Sequence, residues 1–490
     1  MNVLSRLYRP SMGLLTDLYQ LTMACSAWKS GVADREGLFH LHFRQQPFGG
    51  GYSIAAGLEL ALDWLENFRI DADDAAWLGT LEGADGTPLF EPEFLRWLRA
   101  LRMDLDVDAL REGTAVFALE PLLRVKGPIV ACMLAETALL TLVNFQTLVA
   151  TKAARVCQAA GHEPVLEFGL RRAQGVDGGT AASRAAYVGG CAATSNVLAG
   201  RLHGIPVRGT HAHSWVMLYG DELAAFEDYA DAMPHNVVLL VDTYDTLRGV
   251  HHAVEIGRRL AAKGHSLLGI RLDSGDLAWL SIQARAILDA GGFPDAQVYA
   301  SGDLDESLIT SLKLQGAKIA VWGVGTKLVT AYDEPALGGV YKLSAVRMPG
   351  GEWEPRIKVS EQRVKTSIPG ALQVRRFFGS DGFAADLLWD ETAAAPPSRT
   401  LVDPLDPTRM KTMDPLAPYQ DLLEPAMRGG RRVEPAEPLS ALRERTRAQL
   451  SQLDPTHLRL TNPHQYPVGL ERSLAERRDA MILAARGGAQ

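Results

Sequence analysis

The sequence predicts an α/β protein in which a mostly parallel sheet is joined to a separate α+β unit. Between residues 236 and 326, short apolar segments alternate with polar exits and helical stretches, which is the order of βαβ units. Between residues 53 and 130, helical and strand-like patterns are mixed without that repeat, which is typical of an α+β unit. Four strand exits in succession favour a closed barrel with its chemistry in the carboxyl-end loops, although a doubly wound sheet gives a similar pattern.

The N-terminal part begins with helical spacing of apolar residues over 14–30, followed by strand-like alternation over 37–43. Tyr19 lies near the start of the predicted helix, and Arg44 follows the predicted strand. The three glycines at 49–51 allow a close approach of the backbone to another chain segment or to a ligand. Further helices are predicted over 56–69 and 92–102, and further strands over 114–120 and 122–127.

An apolar stretch over 129–150 contains one charged residue, Glu136, and is long enough for a membrane span. It also contains Asn144, Gln146 and several threonines, which would be costly in the middle of a bilayer. The sequence therefore predicts a central helix of a soluble domain, with no membrane partner.

A strand predicted over 164–170 leads into Arg171 and Arg172, whose guanidinium groups suit either a solvated edge or a phosphate clamp. A helix is predicted within 183–200. An apolar run over 202–207 is then expected to end a strand, which places the next polar segment, 209–215, at a strand exit. That segment contains Thr210, His211 and His213, and so combines a hydroxyl group with imidazoles that titrate near neutral pH.

Four more strands are predicted over 237–241, 266–270, 297–300 and 317–321, each followed by a polar segment. Two of these exits contain glycine and are expected to open helices, so that their N–H groups can hold a phosphate. They lack the Walker and dinucleotide fingerprints. With four nearby carboxylates, they indicate a site for a phosphorylated sugar and a hard cation; the carboxylates are Asp273, Asp276, Asp303 and Asp305.

Two other classes of protein share part of this pattern. His211 and His213 are spaced as a metal-ligand pair on one strand face, as in barrel metallohydrolases. That class requires further histidines at later strand ends, and none is found there. A catalytically silent sensor or scaffold on the same fold is compatible with the spacing, but the polar strand exits argue against it.

The C-terminal part is predicted to contain a strand over 338–346 and a basic, β-like region over 357–380. A proline-rich tract over 395–407 is interpreted as a linker or wrap-around loop. Charged amphipathic helices are predicted over 436–490.

Composition narrows the class of protein. The chain has 490 residues, 47% hydrophobic and 22% charged, as expected for a globular protein of two or more units. A net charge of −8 argues against a nucleic-acid partner bound through a basic surface. Four widely spaced cysteines indicate a reducing compartment, and the N-terminus, with Arg6 and Arg9, lacks an apolar signal core. The sequence is therefore interpreted as cytoplasmic.

In their order and spacing, a series of motifs between residues 14 and 435 resembles nicotinate phosphoribosyltransferase. They include LLTDLYQLTMA (14–24), FRQQPFGGGYSIAAGLE (43–59), EFGLRRAQG (167–175), GIPVRGTHAHSWVM (204–217), VDTYDT (241–246), GIRLDSGDL (269–277), ASGDLDE (300–306) and WGVGTKLVT (322–330).

This resemblance implies an irregular TIM-like α/β barrel over 131–344 and an α+β sheet domain. The sheet domain would be formed by residues 1–130, completed by about 345–435, and followed by a helical extension over 436–490. The resemblance also implies a homodimer with active sites completed across the subunit interface. The expected reaction joins nicotinate and 5-phosphoribosyl 1-pyrophosphate (PRPP) into nicotinate mononucleotide and pyrophosphate, with Mg²⁺ and with ATP as co-substrate.

The resemblance also implies roles for individual residues, without assigning any as a metal ligand. His213 would be the phosphorylated histidine, and His211 would be structural. Phe168 and the partner subunit's Tyr19 would stack on the pyridine ring, while Thr210 and Arg271 would hold the nicotinate carboxylate. The residues expected to bind PRPP are Arg44, Arg171, Asp273, Gly302, Asp303, Gly325 and Thr326.

Two related enzymes share this pattern. Nicotinamide phosphoribosyltransferase resembles the sequence too, but that family has an aspartate where this chain has Ser195. Without that carboxylate the anionic substrate is not repelled, so the acid is expected rather than the amide. Quinolinate phosphoribosyltransferase shares the fold but is shorter and lacks the ATP-linked histidine.

Overall fold

A computed structural model describes residues 11–487 of the chain, so that Arg6 and Arg9 lie outside the described residues. The described part divides into two compact units. The first comprises residues 11–147, 336–438 and 448–487, and the second comprises 148–335 and 439–447. The mixed α/β class predicted from the sequence is confirmed.

The helices are α1 (Leu18–Lys29), α2 (Leu58–Asn67), α3 (Ala72–Leu78), α4 (Pro92–Ala100), α5 (Ile129–Ala160), α6 (Gly175–Val188), α7 (Val197–His203), α8 (His213–Tyr219), α9 (Glu222–Ala232), α10 (Thr246–Ala262), α11 (Leu277–Ala290), α12 (Glu306–Leu314), α13 (Thr326–Val329), α14 (Leu439–Ser451) and α15 (Arg472–Gly487).

The strands are β1 (Glu36–Phe43), β2 (Ser53–Ile54), β3 (Asp106–Ala109), β4 (Ala115–Val116), β5 (Leu123–Pro128), β6 (Val165–Glu167), β7 (Ala193–Thr194), β8 (Val238–Leu240), β9 (Gly269–Leu272), β10 (Gln297–Ala300), β11 (Val321–Val324), β12 (Gly339–Arg347), β13 (Glu354–Pro355), β14 (Leu372–Gly379), β15 (Gly382–Asp390), β16 (Thr400–Val402), β17 (Met410–Thr412), β18 (Tyr419–Asp421), β19 (Glu424–Arg428), β20 (Arg431–Arg432) and β21 (Val468–Glu471).

The second unit is built on a six-stranded sheet in the order β7-β6-β11-β10-β9-β8, and every pairing in it is parallel. Helices connect the successive strands, as the alternating pattern predicts. The small core beside β6 contains Leu166, Ala193 and Val321. All six strands present their carboxyl ends at the same edge, which gathers the loops that follow them.

The first unit contains two larger sheets. A seven-stranded sheet has the order β13-β12-β1-β5-β3-β19-β20, so early and late segments of the chain alternate within it. A six-stranded sheet has the order β17-β16-β21-β15-β14-β18. Phe377, Leu387, Leu401 and Met413 pack together in a core cluster of this second sheet.

Helix α5 is the apolar segment that could be mistaken for a membrane span, and by length and composition it would suffice for one. In the first unit, Gln20 donates a hydrogen bond to its Glu136 at 2.7 Å. In the second unit, its fully buried Lys152 contacts Glu306 at 2.7 Å and Asp333 at 2.5 Å. Half of its apolar window is buried within the protein. These contacts are those of a core helix.

Several predicted boundaries were wrong. Only residues 202 and 203 of the run at 202–207 belong to α7, which stops where Gly204 adopts a left-handed conformation with φ 68°, and Val207 forms no more than an isolated parallel bridge with Thr194. Strands predicted over 266–270 and 317–321 begin three to four residues later, as β9 and β11. The register of parallel pairing with β10 fixes these positions, and apolar runs alone do not reveal it.

The C-terminal part also differs from the prediction. The tract over 395–407 is more than a linker, because it contains β16. Residues 436–490 contain the expected helices α14 and α15, but β21 lies between them and pairs with both β15 and β16 inside the six-stranded sheet of the first unit. The basic region over 357–380 forms a long strand only from Leu372 onward.

A buried ion pair stabilises this sheet. The side chains of Arg376 and Asp386 are 1% and 0% exposed, and they form hydrogen bonds of 2.6–3.1 Å across the β14–β15 pairing. Tyr466 donates a further hydrogen bond of 2.9 Å to Asp386. Burial alone would lower the pKa of Arg376, but the Asp386 carboxylate raises it, so the guanidinium stays charged.

Replacing one member of this pair should be strongly destabilising. We expect Arg376→Met to lower the free energy of unfolding by about 3–5 kcal/mol, since it leaves the Asp386 carboxylate buried without its cation. Denaturant unfolding followed by tryptophan fluorescence measures the change. Lys29→Met is the matched control, because Lys29 and Glu91 form a half-exposed pair that solvent screens, so its loss should change stability little. Equal losses in the two variants would contradict the prediction.

Candidate functional site

A cavity of about 680 Å³ lies at the carboxyl ends of the parallel strands in the second unit, and we call it the strand-end cavity. Every residue expected to bind nicotinate or PRPP, except Tyr19 and Arg44, lines it, and so does His213. These are Phe168, Arg171, Thr210, His213, Arg271, Asp273, Gly302, Asp303, Gly325 and Thr326. They come from five separate loops or strand ends, so only the fold brings them together.

Tyr19 and Arg44 belong to the first unit. Tyr19 is 48% exposed on α1, and burial of part of the side chain together with the nearby Glu136 carboxylate raises the pKa of its hydroxyl group. Arg44 follows β1 and lines a different cavity, of about 710 Å³, together with Arg409 and Lys411. Both residues therefore stand outside the part of the site that the second unit forms.

His213 is the first residue of α8, and its side chain is 39% exposed. Its Nδ1 atom lies 3.1 Å from the hydroxyl oxygen of Thr243, which follows β8. Its Nε2 atom lies 3.7 Å from a carboxylate oxygen of Asp273, too far for a direct hydrogen bond. The ring is thus held on one side by Thr243, while Nε2 points toward the acidic end of β9.

His211 has a different environment, although it is only two residues away. It is 8% exposed, and its Nε2 accepts a hydrogen bond of 3.1 Å from the backbone N–H of Leu240. The ring of Tyr229 packs against it edge-on, with ring centroids 4.8 Å apart. Burial lowers the pKa of His211 to about 4, so the ring is neutral at physiological pH. The hydrogen bond from Leu240 to His211 therefore holds the loop that contains His211 against β8.

Arg271, on β9, is more buried than Arg171 and Arg172, the other arginines that line the strand-end cavity. Burial lowers the pKa of its guanidinium, and the carboxylates of Asp273 and Asp242 oppose that shift. One Nη group donates to the carbonyl oxygen of His211 at 3.1 Å. Its buried Nε has no hydrogen-bond partner within the described residues. A buried donor of this kind favours binding of an anionic ligand, because an unpaired donor is costly.

The carboxylates at the strand ends are linked through Asp242. One oxygen of Asp242 accepts from the backbone N–H of Asp273 at 2.9 Å and from the hydroxyl of Ser274 at 2.8 Å. Its other oxygen is buried and has no partner among the described residues. Ser301 donates to Asp273 from the end of the next strand. Asp273 is therefore fixed by neighbours on both sides.

Two of the four predicted cation carboxylates have another role. Asp276 caps α11 by accepting from the N–H of Trp279 at 3.0 Å. Asp305 caps α12 by accepting from Leu308 at 2.7 Å and also pairs with Lys327 at 2.5 Å. Asp273 and Asp303 line the strand-end cavity, but Asp276 and Asp305 do not. The prediction for Asp276 and Asp305 was wrong because a helix N-cap and a ligand carboxylate have the same sequence signature.

The glycine loops are shaped by close contacts. A β-carbon on Gly323 would lie 2.8 Å from the ring of Phe168, so only glycine lets that ring rest on β11. Gly302 has φ 120°, and a β-carbon there would lie 2.9 Å from the carbonyl oxygen of Asp273. Gly325 directly precedes the short helix α13, and the exit that contains Gly302 runs through the N-cap Asp305 into α12, so both loops lead into helices as expected.

Sequence reasoning gave no role to three residues that organise this site. Thr243 and Asp242 were recognised only as part of a strand exit, and Glu167 only as part of a motif. Glu167 is fully buried at the end of β6 and accepts hydrogen bonds from two hydroxyl groups and a backbone amide. An acidic residue at the end of an apolar strand was the available signal.

Comparison with known proteins adds independent findings. The family model described as the nicotinate phosphoribosyltransferase N-terminal domain matches residues 14–144, and the model of the C-terminal domain matches residues 372–478. Nicotinate phosphoribosyltransferase of Bacillus subtilis (strain 168) is 42% identical over 475 residues, covering 94% of this chain and 93% of that protein.

Solved structures agree with this. The crystal structure of human nicotinic acid phosphoribosyltransferase matches with a TM-score of 0.83 and 34% identity, covering 95% of this chain and 99% of that one. A nicotinate-nucleotide pyrophosphorylase from Pyrococcus furiosus matches with a TM-score of 0.67 over 93% of this chain and 98% of that one. At 21% identity, this second match shows a shared fold alone.

The environment of His211 predicts a pH dependence of stability. Its pKa in the folded protein, about 4, lies below the 6.5 of an ordinary imidazole, so folding favours the neutral ring. This stabilisation is present above pH 6.5 and is lost as the pH falls toward 4. We expect the free energy of unfolding to fall more steeply over this range in the parent than in His211→Gln, whose amide does not titrate.

Denaturant unfolding at a series of pH values measures both slopes. His40 and His42 are also buried, and burial lowers the pKa of each, but they are present in both proteins and cancel in the comparison. Parallel slopes would contradict the neutral, buried state assigned to His211.

Proposed function

The chain belongs to the nicotinate phosphoribosyltransferase family, and we propose that it joins nicotinate and PRPP, with release of pyrophosphate, in NAD biosynthesis. The observation that carries this proposal is the convergence of the predicted nicotinate and PRPP residues on one cavity. We further propose that the reaction is coupled to ATP hydrolysis through a phosphohistidine, and that the enzyme is a cytoplasmic homodimer.

The base would bind next to Phe168 and Arg271. Phe168 offers a ring face for stacking on the pyridine, and the partner subunit's Tyr19 would cover the other face. The unpartnered Nε of Arg271 supports a role in binding the nicotinate carboxylate, with the Thr210 hydroxyl as a second donor. Exposure of Tyr19 on α1 is compatible with its contribution to a second subunit.

Ser195 supports the acid over the amide. It lines the strand-end cavity directly after β7. A serine there places no negative charge beside the substrate carboxylate, whereas an aspartate would repel it and accept from an amide instead. Nicotinamide is therefore the alternative substrate that the experiment must exclude.

PRPP would occupy the basic and glycine-containing side of the strand-end cavity. Arg171 supplies a guanidinium for phosphate oxygens, Gly302 and Gly325 open the backbone to the 5′-phosphate, and Asp273 and Asp303 supply carboxylate oxygens. Arg44 would contribute from the first unit.

The carboxylates of Asp273 and Asp303, with substrate phosphates, fit the oxygen ligands that Mg²⁺ prefers, and the buried carboxylate of Asp242, which accepts from the N–H of Asp273, has one oxygen without a partner among the described residues. When bound, Mg²⁺ would neutralise charge on the pyrophosphate leaving group.

The chemistry at the sugar requires positioning more than a protein nucleophile. The pyridine nitrogen would attack the anomeric carbon as the bond between that carbon and pyrophosphate breaks, through a cation-like transition state. Phe168 and Arg271 would orient the base, and Arg171 would stabilise the charge that develops on the leaving group.

His213 would couple this reaction to ATP. Thr243 can accept a hydrogen bond from Nδ1–H, which leaves the lone pair on Nε2. Nε2 would then take the γ-phosphoryl group as its bond to ADP breaks, and water would later hydrolyse the phosphohistidine. Its position 3.7 Å from Asp273 places this chemistry beside the PRPP residues.

A direct assay tests the proposed reaction. We expect PRPP and Mg²⁺ to support turnover of nicotinate, accelerated by ATP, with nicotinamide used at least about tenfold less efficiently, because one charge contact is worth a factor of this order. Separate assays of the two bases, with and without ATP, measure this. Preference for nicotinamide would reassign the base pocket, and turnover of neither base would favour a silent sensor.

A second prediction concerns His213. We expect His213→Ala to retain basal transfer and to lose its stimulation by ATP, because the base and PRPP contacts remain while the phosphoryl acceptor is gone. Initial rates with and without ATP measure this, together with ³²P incorporation from γ-labelled ATP. His251→Ala, on the exposed face of α10, is the matched control and should behave as the parent. ATP stimulation that survives in His213→Ala would remove this role.

A further inference from the structure

We infer that Glu167 is a positioning residue that holds the two sides of the nicotinate pocket in register and thereby sets the affinity for the base. This inference rests on the proposed function, because it concerns the same site. It assigns no contact between Glu167 and substrate, and it depends on the hydrogen bonds that the carboxylate makes.

The carboxylate of Glu167 connects two strand exits. One oxygen accepts from the backbone N–H of Gly169, in the turn after β6. The other accepts from the hydroxyl of Thr194, at the end of β7, at 2.5 Å, and from Ser183 on α6 at 2.7 Å. The main-chain carbonyl of Glu167 also accepts from the N–H of Ser195 at 2.9 Å. A single buried residue thus joins both loops.

The loops that Glu167 joins carry the residues that would contact the base. Phe168 lies between Glu167 and Gly169, so its backbone is fixed on both sides by the same carboxylate. Its own N–H donates to the carbonyl oxygen of Val324 at 2.8 Å. On the other side, Ser195 directly follows Thr194. The stacking ring and the residue that distinguishes acid from amide therefore depend on one anchor.

The packing around this anchor leaves little freedom for another arrangement. A β-carbon on Gly169 would lie 2.3 Å from a methyl group of Val329, so the turn sits tightly against α13. Asn196 extends the network: its backbone N–H donates to the Thr194 hydroxyl at 2.9 Å, and its side-chain amide donates to Ser183 at 3.2 Å. A change at Glu167 would therefore be transmitted to both loops.

A glutamine at this position keeps the size of the side chain but replaces one acceptor oxygen with a donor NH₂ group. Facing the N–H of Gly169, that group would oppose another donor. Facing Ser183 and Thr194, it would require both hydroxyls to accept where they now donate to the carboxylate. The two loops should then separate or shift, while the more distant glycine loop at Gly302 keeps its contacts.

The test is steady-state kinetics of Glu167→Gln in the full-length protein. We expect the KM for nicotinate to rise about tenfold or more, the change that a displaced stacking ring and a misplaced polar contact produce. The KM for PRPP should rise less than the KM for nicotinate, because only Arg171 among the phosphate residues shares the loop after β6, whereas Gly302, Asp303, Gly325 and Thr326 lie on other loops. A merely structural role would lower the amount of active enzyme and leave both KM values unchanged.

Glu222→Gln is the matched control. Glu222 is also a buried carboxylate of the second unit, 4% exposed, and pairs with His252 at 2.8 Å, but it does not line the strand-end cavity. Its variant should keep both KM values. Unchanged KM for nicotinate in Glu167→Gln, or an equal rise for PRPP, would overturn the inference.

If Glu167→Gln does not fold, Thr194→Val provides the same test. It removes one donor to the carboxylate with little change of shape, and it should raise the KM for nicotinate several-fold while Thr194→Ser, which keeps the hydroxyl, remains near the parent. Equal KM values in these two variants would overturn the inference. Failure of the proposed function is distinguishable, because the parent itself would then not convert nicotinate.

Discussion

The rest of the second unit depends on one constraint, which is that all six strands of its sheet, β6 through β11, pair in parallel. Because all six strands run in one direction, the loops that follow them meet at one edge, and each loop needs to contribute only one or two functional groups. The strand-end cavity therefore combines aromatic, cationic, acidic and glycine residues that are separated by up to about 160 positions in the chain.

Within that frame, burial decides which polar residues are available for chemistry. His211 and His213 are neighbours in sequence, yet one accepts from Leu240 inside the protein and the other is partly exposed beside Asp273. In the same way, Asp305 is occupied as a helix cap while Asp303 lines the strand-end cavity. Residue type places a group at the site, and its hydrogen-bond partners determine whether it is free to bind a ligand.

Much of the site could be predicted because its residues follow apolar strands at short, recognisable intervals. The bounds of β9 and β11 could not, because the register of parallel strands depends on partners far away in the chain. Glu167 was not recognised for a related reason: its importance lies in donors from Ser183 and Thr194, which local sequence does not place beside it. Strand β16 was not predicted within the Pro-rich tract because it is only three residues long and is stabilised by pairing with β17 and β21.

The position of β21 in the sheet affects the order in which the two units can fold during synthesis. The second unit is formed chiefly by a continuous segment, 148–335, so it can fold while the ribosome is still translating the remainder. The six-stranded sheet of the first unit has to wait, because β21 is the last of its strands to be made and inserts between β15 and β16. Until then both strands present open edges, the kind of surface that recruits chaperones or aggregates.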